Sequence, residues 1–189
     1  MNMYQRATLR ETMQNKRSAL AGRRGRRNLV ISLIVTAAAV LLLFGVFLGL
    51  AVVRGNSMMP SVKHGDKILF ARRGSPVIGD VVLLHSQQED FIKRVVALPG
   101  DVVDISRNRL TVNGMPQMMY CAIGDTQPQT HDINFPLTLG ADEYFVLGDN
   151  RENSRDSRTY GPVKAGQIRG RVILVLSNNI YQKAGTTPW

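Results

Sequence analysis

Ser57, in the run Asn56-Ser57-Met58-Met59-Pro60, and Lys93, in Phe91-Ile92-Lys93-Arg94-Val95-Val96, are the residues of this chain best suited to covalent chemistry. A serine hydroxyl becomes a nucleophile when a base takes its proton, and a lysine becomes that base when burial removes its own. In a strand through 91–96, alternation puts Lys93 on one face with Phe91 and Val95, and Arg94 on the other with Ile92 and Val96. One cation must then keep apolar company. Desolvation disfavours the ammonium, and lowering its pKa from about 10.4 toward 8 takes roughly 3 kcal/mol. An amine neutral near physiological pH serves as a general base. The plainer alternatives are an exposed Lys-Arg pair guarding an edge strand and an ordinary turn at Asn-Ser before Met-Met-Pro. A third segment, Gly148-Asp149-Asn150-Arg151-Glu152-Asn153-Ser154-Arg155-Asp156-Ser157-Arg158, is too dense in polar side chains for a plain loop to account for it.

The elements that must position these residues begin with an apolar run. Asn28 to Val53 contains no Asp, Glu, Lys or Arg. As a helix its 26 residues would extend about 39 Å, against a hydrocarbon core of roughly 30 Å. A cleavable signal peptide has a shorter apolar core, of about 7–15 residues, so 28–53 reads as an uncleaved transmembrane anchor. The net charge of +10 is concentrated ahead of it: residues 1–27 hold eight Lys/Arg against Glu11 alone, and the remainder holds 16 against 13. Most of the excess is therefore a basic leader, which argues against a nucleic-acid partner. Arg23-Arg24-Gly25-Arg26-Arg27 abuts the anchor, so the positive-inside rule puts the N-terminus in the cytosol and residues 54–189 across the membrane. The leader is also able to touch anionic headgroups of the bilayer.

Beyond Arg54, short β-branched runs alternate with Gly, Pro, Asn and Asp. Segments 67–71, 80–85, 90–97, 102–105, 109–112, 143–147 and 171–176 read as strands. Asn113-Gly114 reads as a hairpin turn and Pro99-Gly100-Asp101 as another. No later segment has helical period over three turns, and the ending from about Gln182 reads as frayed. The expected architecture is an all-β catalytic domain of antiparallel sheets preceded by one N-terminal transmembrane helix. Cys121 is the only cysteine, which rules out an internal disulfide and a zinc framework. His64, His85 and His131 lack metal-ligand spacing and read as surface or loop residues, so neither metal nor cofactor is expected.

In order and spacing these segments resemble the type I signal peptidase family, membrane-bound Ser/Lys proteases that remove signal peptides from exported preproteins. The resemblance runs through Ser57-Met58-Met59-Pro60, Gly65-Asp66-Lys67-Ile68, the stretch Phe91-Ile92-Lys93-Arg94-Val95-Val96-Ala97-Leu98-Pro99-Gly100-Asp101, and the Gly148–Arg158 segment. It implies Ser57 as nucleophile, Lys93 as general base, and the Ser154 hydroxyl as the group that orients the lysine amine. It also implies the Ser57 backbone N–H as an oxyanion donor, and Met58 as a lining residue of the substrate pocket. Asp156 and Arg158 are implied as a supporting ion pair, with Asp149, Asn150 and Arg151 shaping the loop that bears Ser154. Gly55 stands where some members carry a serine donor, so the second oxyanion donor cannot be a side chain from that position. Ala97 stands where glycine is usual, and would be strained if that backbone needed φ > 0. Only 46 residues separate Asp101 from Gly148, which implies the short, single-anchor form.

The partners implied are signal peptides of secretory preproteins and the lipid bilayer, and the implied location is a cell membrane with the catalytic domain extracytoplasmic. With Ser57 four residues beyond Val53, the anchor would act as a ruler that holds the nucleophile near the membrane surface. A self-cleaving Ser/Lys repressor protease would need a DNA-binding helical module, for which residues 1–27 are too short. A Ser-His protease would need histidine at position 93. The remaining alternative is a catalytically inactive, membrane-tethered homologue acting as a binding or export accessory protein.

Overall fold

A computed structural model describes residues 13, 26–42, 44–86, 89–117 and 119–177. The leader 1–27 falls almost wholly outside the described residues, as does the tail beyond Ser177. The chain forms two compact units, Met1–Val46 and Phe47–Trp189. Helix α1, Arg26–Phe47, is 22 residues long and apolar after its opening arginines, and all but its last residue belong to the first unit. At about 1.5 Å per residue it extends about 33 Å, close to the thickness of a bilayer's hydrocarbon core.

The second unit is built on antiparallel ladders. Its strands are β1 (Leu48–Val52), β2 (Lys67–Ala71), β3 (Val81–His85), β4 (Asp90–Ala97), β5 (Val102–Ser106), β6 (Arg109–Val112), β7 (Met115–Pro116), β8 (Leu137–Thr138), β9 (Glu143–Leu147), β10 (Val163–Lys164) and β11 (Ile168–Leu176). One sheet runs β1-β2-β11-β3-β4-β9-β10 and the other β7-β6-β5-β8. All seven strands expected from the sequence are present. Asn113 and Gly114 both take positive φ, 53° and 77°, and form the tight turn between β6 and β7.

The far end of the expected anchor is corrected. Residues 48–52 are not helical but form β1, paired with β2 from Leu48↔Ala71 to Val52↔Lys67. A stretch of Leu, Gly, Ala and Val without charge satisfies either structure by hydropathy, and tertiary pairing decides. Gly49 shows the decision locally, because a Cβ there would fall into the Phe70 ring of β2. Ser57 is therefore separated from the helix by a strand and a turn, and the simple four-residue ruler does not hold.

Three buried clusters make the core. Val96, Ala97, Val103, Ile105, Leu110, Val112, Phe145 and Leu147 join β4 and β9 to the second sheet. Val53, Met58, Val62, Ile68, Phe70, Leu83 and Ile92 fill the space beneath the Ser57 turn. Val82, Leu84, Val95, Tyr144, Val146 and Val163 form the third. Ala97 lies in β4 at a register shift against β9, fully buried and with φ outside the positive range, so alanine is unstrained there.

Candidate active site

Lys93 sits inside β4, a strand flanked by β3 on one side and β9 on the other. β9 pairs only from Arg94 onward, so it is burial, not flanking on both sides, that excludes an exposed Lys-Arg pair at this position. Val82 of β3 is its register partner, and the residue is only 4% exposed. Ser57 occupies the turn that follows β1, closed by Met59 N–H to Asn56 O and Val62 N–H to Met58 O. Met58 is 1% exposed and packs downward against Val62 and Ile92. Met58 is thus a core residue beneath the Ser57 turn, and it is not among the described residues lining the cavity beside Ser57 and Lys93.

The two side chains meet. Lys93 Nζ lies 2.8 Å from Ser57 Oγ and donates to Ile92 O at 3.1 Å. Phe91 covers the amine, with its ring centroid 5.4 Å from Nζ. Burial pulls the Lys93 pKa from 10.5 to about 8, with Arg158 adding to the fall and Asp156 and Glu89 opposing it. A substantial neutral fraction exists at mildly alkaline pH, so the amine can accept the serine proton.

The Gly148–Arg158 segment holds this pair in place. Asn150 N–H donates to Ser57 O at 3.0 Å, tying the serine turn to the segment. Asp149 accepts two bonds from Arg94, at 2.7 and 2.6 Å, so the arginine beside Lys93 is anchored away from it. Asp156 and Arg158 form the expected ion pair, fully buried, with Nε–Oδ1 at 2.8 Å and Nη2–Oδ2 at 2.9 Å. Asp156 also accepts from Gly148 N–H, and it caps the one-turn helix α2, Ser157–Tyr160. Arg158 donates to Arg151 O, while Arg151 reaches Gly148 O and the Thr126 hydroxyl.

Ser154 departs from expectation. Its hydroxyl is buried and has no hydrogen-bond partner, so the expected bond to the Lys93 amine is not made. The amine has instead turned to Ser57 and to the carbonyl of Ile92. Ser154 is nonetheless close by: a Cβ added to Gly148 would lie 2.5 Å from Ser154 Cβ and 2.5 Å from Ser57 O. Glycine at 148 is what lets the two serines approach. Gly55 takes φ +82° and donates its N–H to His64 Nδ1, whereas the Ser57 N–H has no partner among the described residues. The three histidines are all exposed.

Ser57 and Lys93 open on a cavity of about 490 Å³, whose walls include Phe91, Tyr160 and Val163 and also Arg54, Glu89 and Arg155. The sequence offered no signal for the last three, because their chemistry is ordinary and only the fold brings them together.

Antiparallel β-sheets carrying a buried lysine against a serine hydroxyl define the class to which fold and site point. The signal peptidase family, peptidase S26, matches residues 26–177, and the chain belongs to that family. It is 34% identical over 139 residues to signal peptidase IB of Staphylococcus aureus, covering 64% of this chain and 73% of that protein. Signal peptidase I P of Bacillus subtilis subsp. natto is 31% identical over 119 residues, 57% of this chain and 64% of that protein. The crystal structure of a signal peptidase I from Enterococcus faecalis superposes with a TM-score of 0.45 at 28% identity, covering 53% of this chain and 98% of that one.

Proposed function

We propose that this chain is a membrane-anchored serine endopeptidase that removes N-terminal signal peptides from exported preproteins, with Ser57 as nucleophile and Lys93 as general base. The observation that carries the reading is the 2.8 Å approach of a buried lysine amine to the serine hydroxyl. Neutral Lys93 takes the Ser57 proton as Oγ bonds to the scissile carbonyl carbon. The C–N bond then breaks, the proton passes to the leaving amine, and an acyl-enzyme remains. A water that loses its proton to the same amine attacks the ester and frees Ser57. The Ser57 N–H, without another partner, faces the developing oxyanion as a donor.

The substrate enters as an extended strand. On its β9 side, β4 is paired only from Arg94 onward, which leaves the edge of Asp90–Lys93 open to an incoming backbone. Ser154 supplies a hydroxyl to the lysine once substrate displaces the resting contacts. Helix α1 crosses the bilayer with the basic leader cytosolic, so the β unit works on the side where exported precursors emerge.

The test is reconstitution of the full chain in liposomes with a signal-bearing preprotein. Ser57→Ala and Lys93→Ala should each leave the precursor uncut while still unfolding in one cooperative transition. Undiminished processing by both variants would leave only the accessory-protein reading. An anchor-deleted chain should still hydrolyse a soluble peptide but lose processing of the membrane-inserted precursor.

A further inference from the structure

Within the Gly148–Arg158 segment, Arg155 is the charged residue with a place in the groove and no role yet. Its neighbours Ser154 and Asp156 are buried and turned inward, and the same backbone leaves Arg155 exposed between them. The guanidiniums of Arg94, Arg151 and Arg158 are all engaged by carboxylates, carbonyls or a hydroxyl. Arg155 makes no hydrogen bond or ion pair among the described residues. It lines the same cavity as Ser57 and Lys93, with its charge felt at Tyr160 on one wall.

Resting on the peptidase reading above, we infer that Arg155 is a specificity-determining residue, which selects substrates carrying a carboxylate side chain within three residues of the bond that is cut. A peptide whose carbonyl carbon reaches Ser57 Oγ must lodge its flanking side chains in this cavity. An unpaired, planar guanidinium takes a carboxylate through two parallel bonds, a geometry that an amide or ammonium side chain cannot supply. Arg54, also without an ion pair among the described residues, adds a second positive charge to the lining. Glu89 is the one acid among the described lining residues, and its charge acts on Lys93. Two unpaired guanidiniums against that one carboxylate leave the lining favourable to a substrate acid, and Arg155 is the one carried on the segment tied to the Ser57 turn.

The experiment uses the full chain in detergent micelles and peptide pairs identical except for Asp or Lys, placed in turn at each of three positions on either side of the cut. The readout is the Asp/Lys ratio of kcat/KM, in which a general loss of activity cancels. At low salt the wild type should favour Asp by about fivefold at one position or more, a preference that shrinks in concentrated salt. Arg155→Glu should lower that ratio tenfold or more, with Arg155→Gln between. A ratio that stays within twofold of wild type in Arg155→Glu at every position overturns the inference. If that variant does not fold, the Arg155→Gln ratio decides by the same criterion. An uncharged parent peptide separates the two levels of argument: its cleavage by the wild type without charge preference sinks only the role of Arg155. No cleavage of it at all sinks the peptidase reading, and this inference with it.

Discussion

Replacing Lys93 by methionine should make the protein more stable and abolish its activity. The side chain is 4% exposed and burial lowers its pKa from 10.5 to about 8, a shift that corresponds to about 3 kcal/mol of destabilisation of the ammonium form in the folded state. The folded protein holds this proton less tightly than the unfolded chain does. Below pH 8 both states are protonated and the full penalty applies. Between about 8 and 10.5 the unfolded chain binds more protons, so stability rises with pH, and above 10.5 the penalty is gone. Lys93→Met has similar length and no charge, so at pH 7 it should gain up to about 3 kcal/mol over wild type, and that gap should close by pH 10.5. Urea unfolding of the full chain in mild detergent, from pH 6.5 to 10.5, measures both curves. Wild-type kcat/KM on a signal-peptide substrate should climb nearly tenfold per pH unit below 8 and level off above it. A stability gap independent of pH, or an activity midpoint near 10, would show that the amine is solvated and refute the reasoning.

Three further outcomes follow from the same contacts. Ser154→Ala deletes a buried hydroxyl without a partner, so melting temperature should hold or rise while kcat falls tenfold or more; equal kcat would remove Ser154 from the reaction. Gly148→Ala drives a methyl against Ser154 and Ser57 O, and should cost about 1–3 kcal/mol in thermal unfolding together with most of the activity. Breaking the buried ion pair should cost about 3–5 kcal/mol in either direction but move the activity midpoint oppositely. Asp156→Asn removes a charge that holds the Lys93 proton and shifts the midpoint down, whereas Arg158→Met removes one that expels it and shifts the midpoint up, as pH-rate profiles would register.

Where local pattern carries the information, the sequence was sufficient. β4 and β9 read directly from alternation and β-branching, and β6 with its Asn113-Gly114 turn from turn chemistry. Two-residue strands such as β8 and β10 have no pattern to read, and β1 was hidden because an uncharged apolar strand looks like the end of an apolar helix. The site was legible in its residue types but not in its contacts. Strand periodicity gave Lys93 an apolar face, yet whether that face was buried or solvated depended on the tertiary packing around β4, which the sequence does not show. The resemblance implied Met58 only as a pocket-lining residue, and its membership of the hydrophobic cluster under the turn is visible only in the fold.

What keeps the Lys93 proton labile is burial, with both aspartates of the adjoining segment held by arginines. A buried ammonium beside a free carboxylate would be held charged, and two aspartates lie in the segment packed against this lysine. Asp149 is committed to Arg94 through two bonds, and Asp156 to Arg158 through two more as well as to the Gly148 N–H. Each acid therefore reaches Lys93 together with its own counter-charge: Asp156 raises the lysine pKa while Arg158 lowers it, and desolvation is left as the largest influence. The polar density of residues 148–158 thus acts on the amine indirectly. By satisfying its own charges, the segment leaves burial as the main influence on the proton affinity of Lys93, and the Asn150 bond to Ser57 O ties the serine turn to that segment.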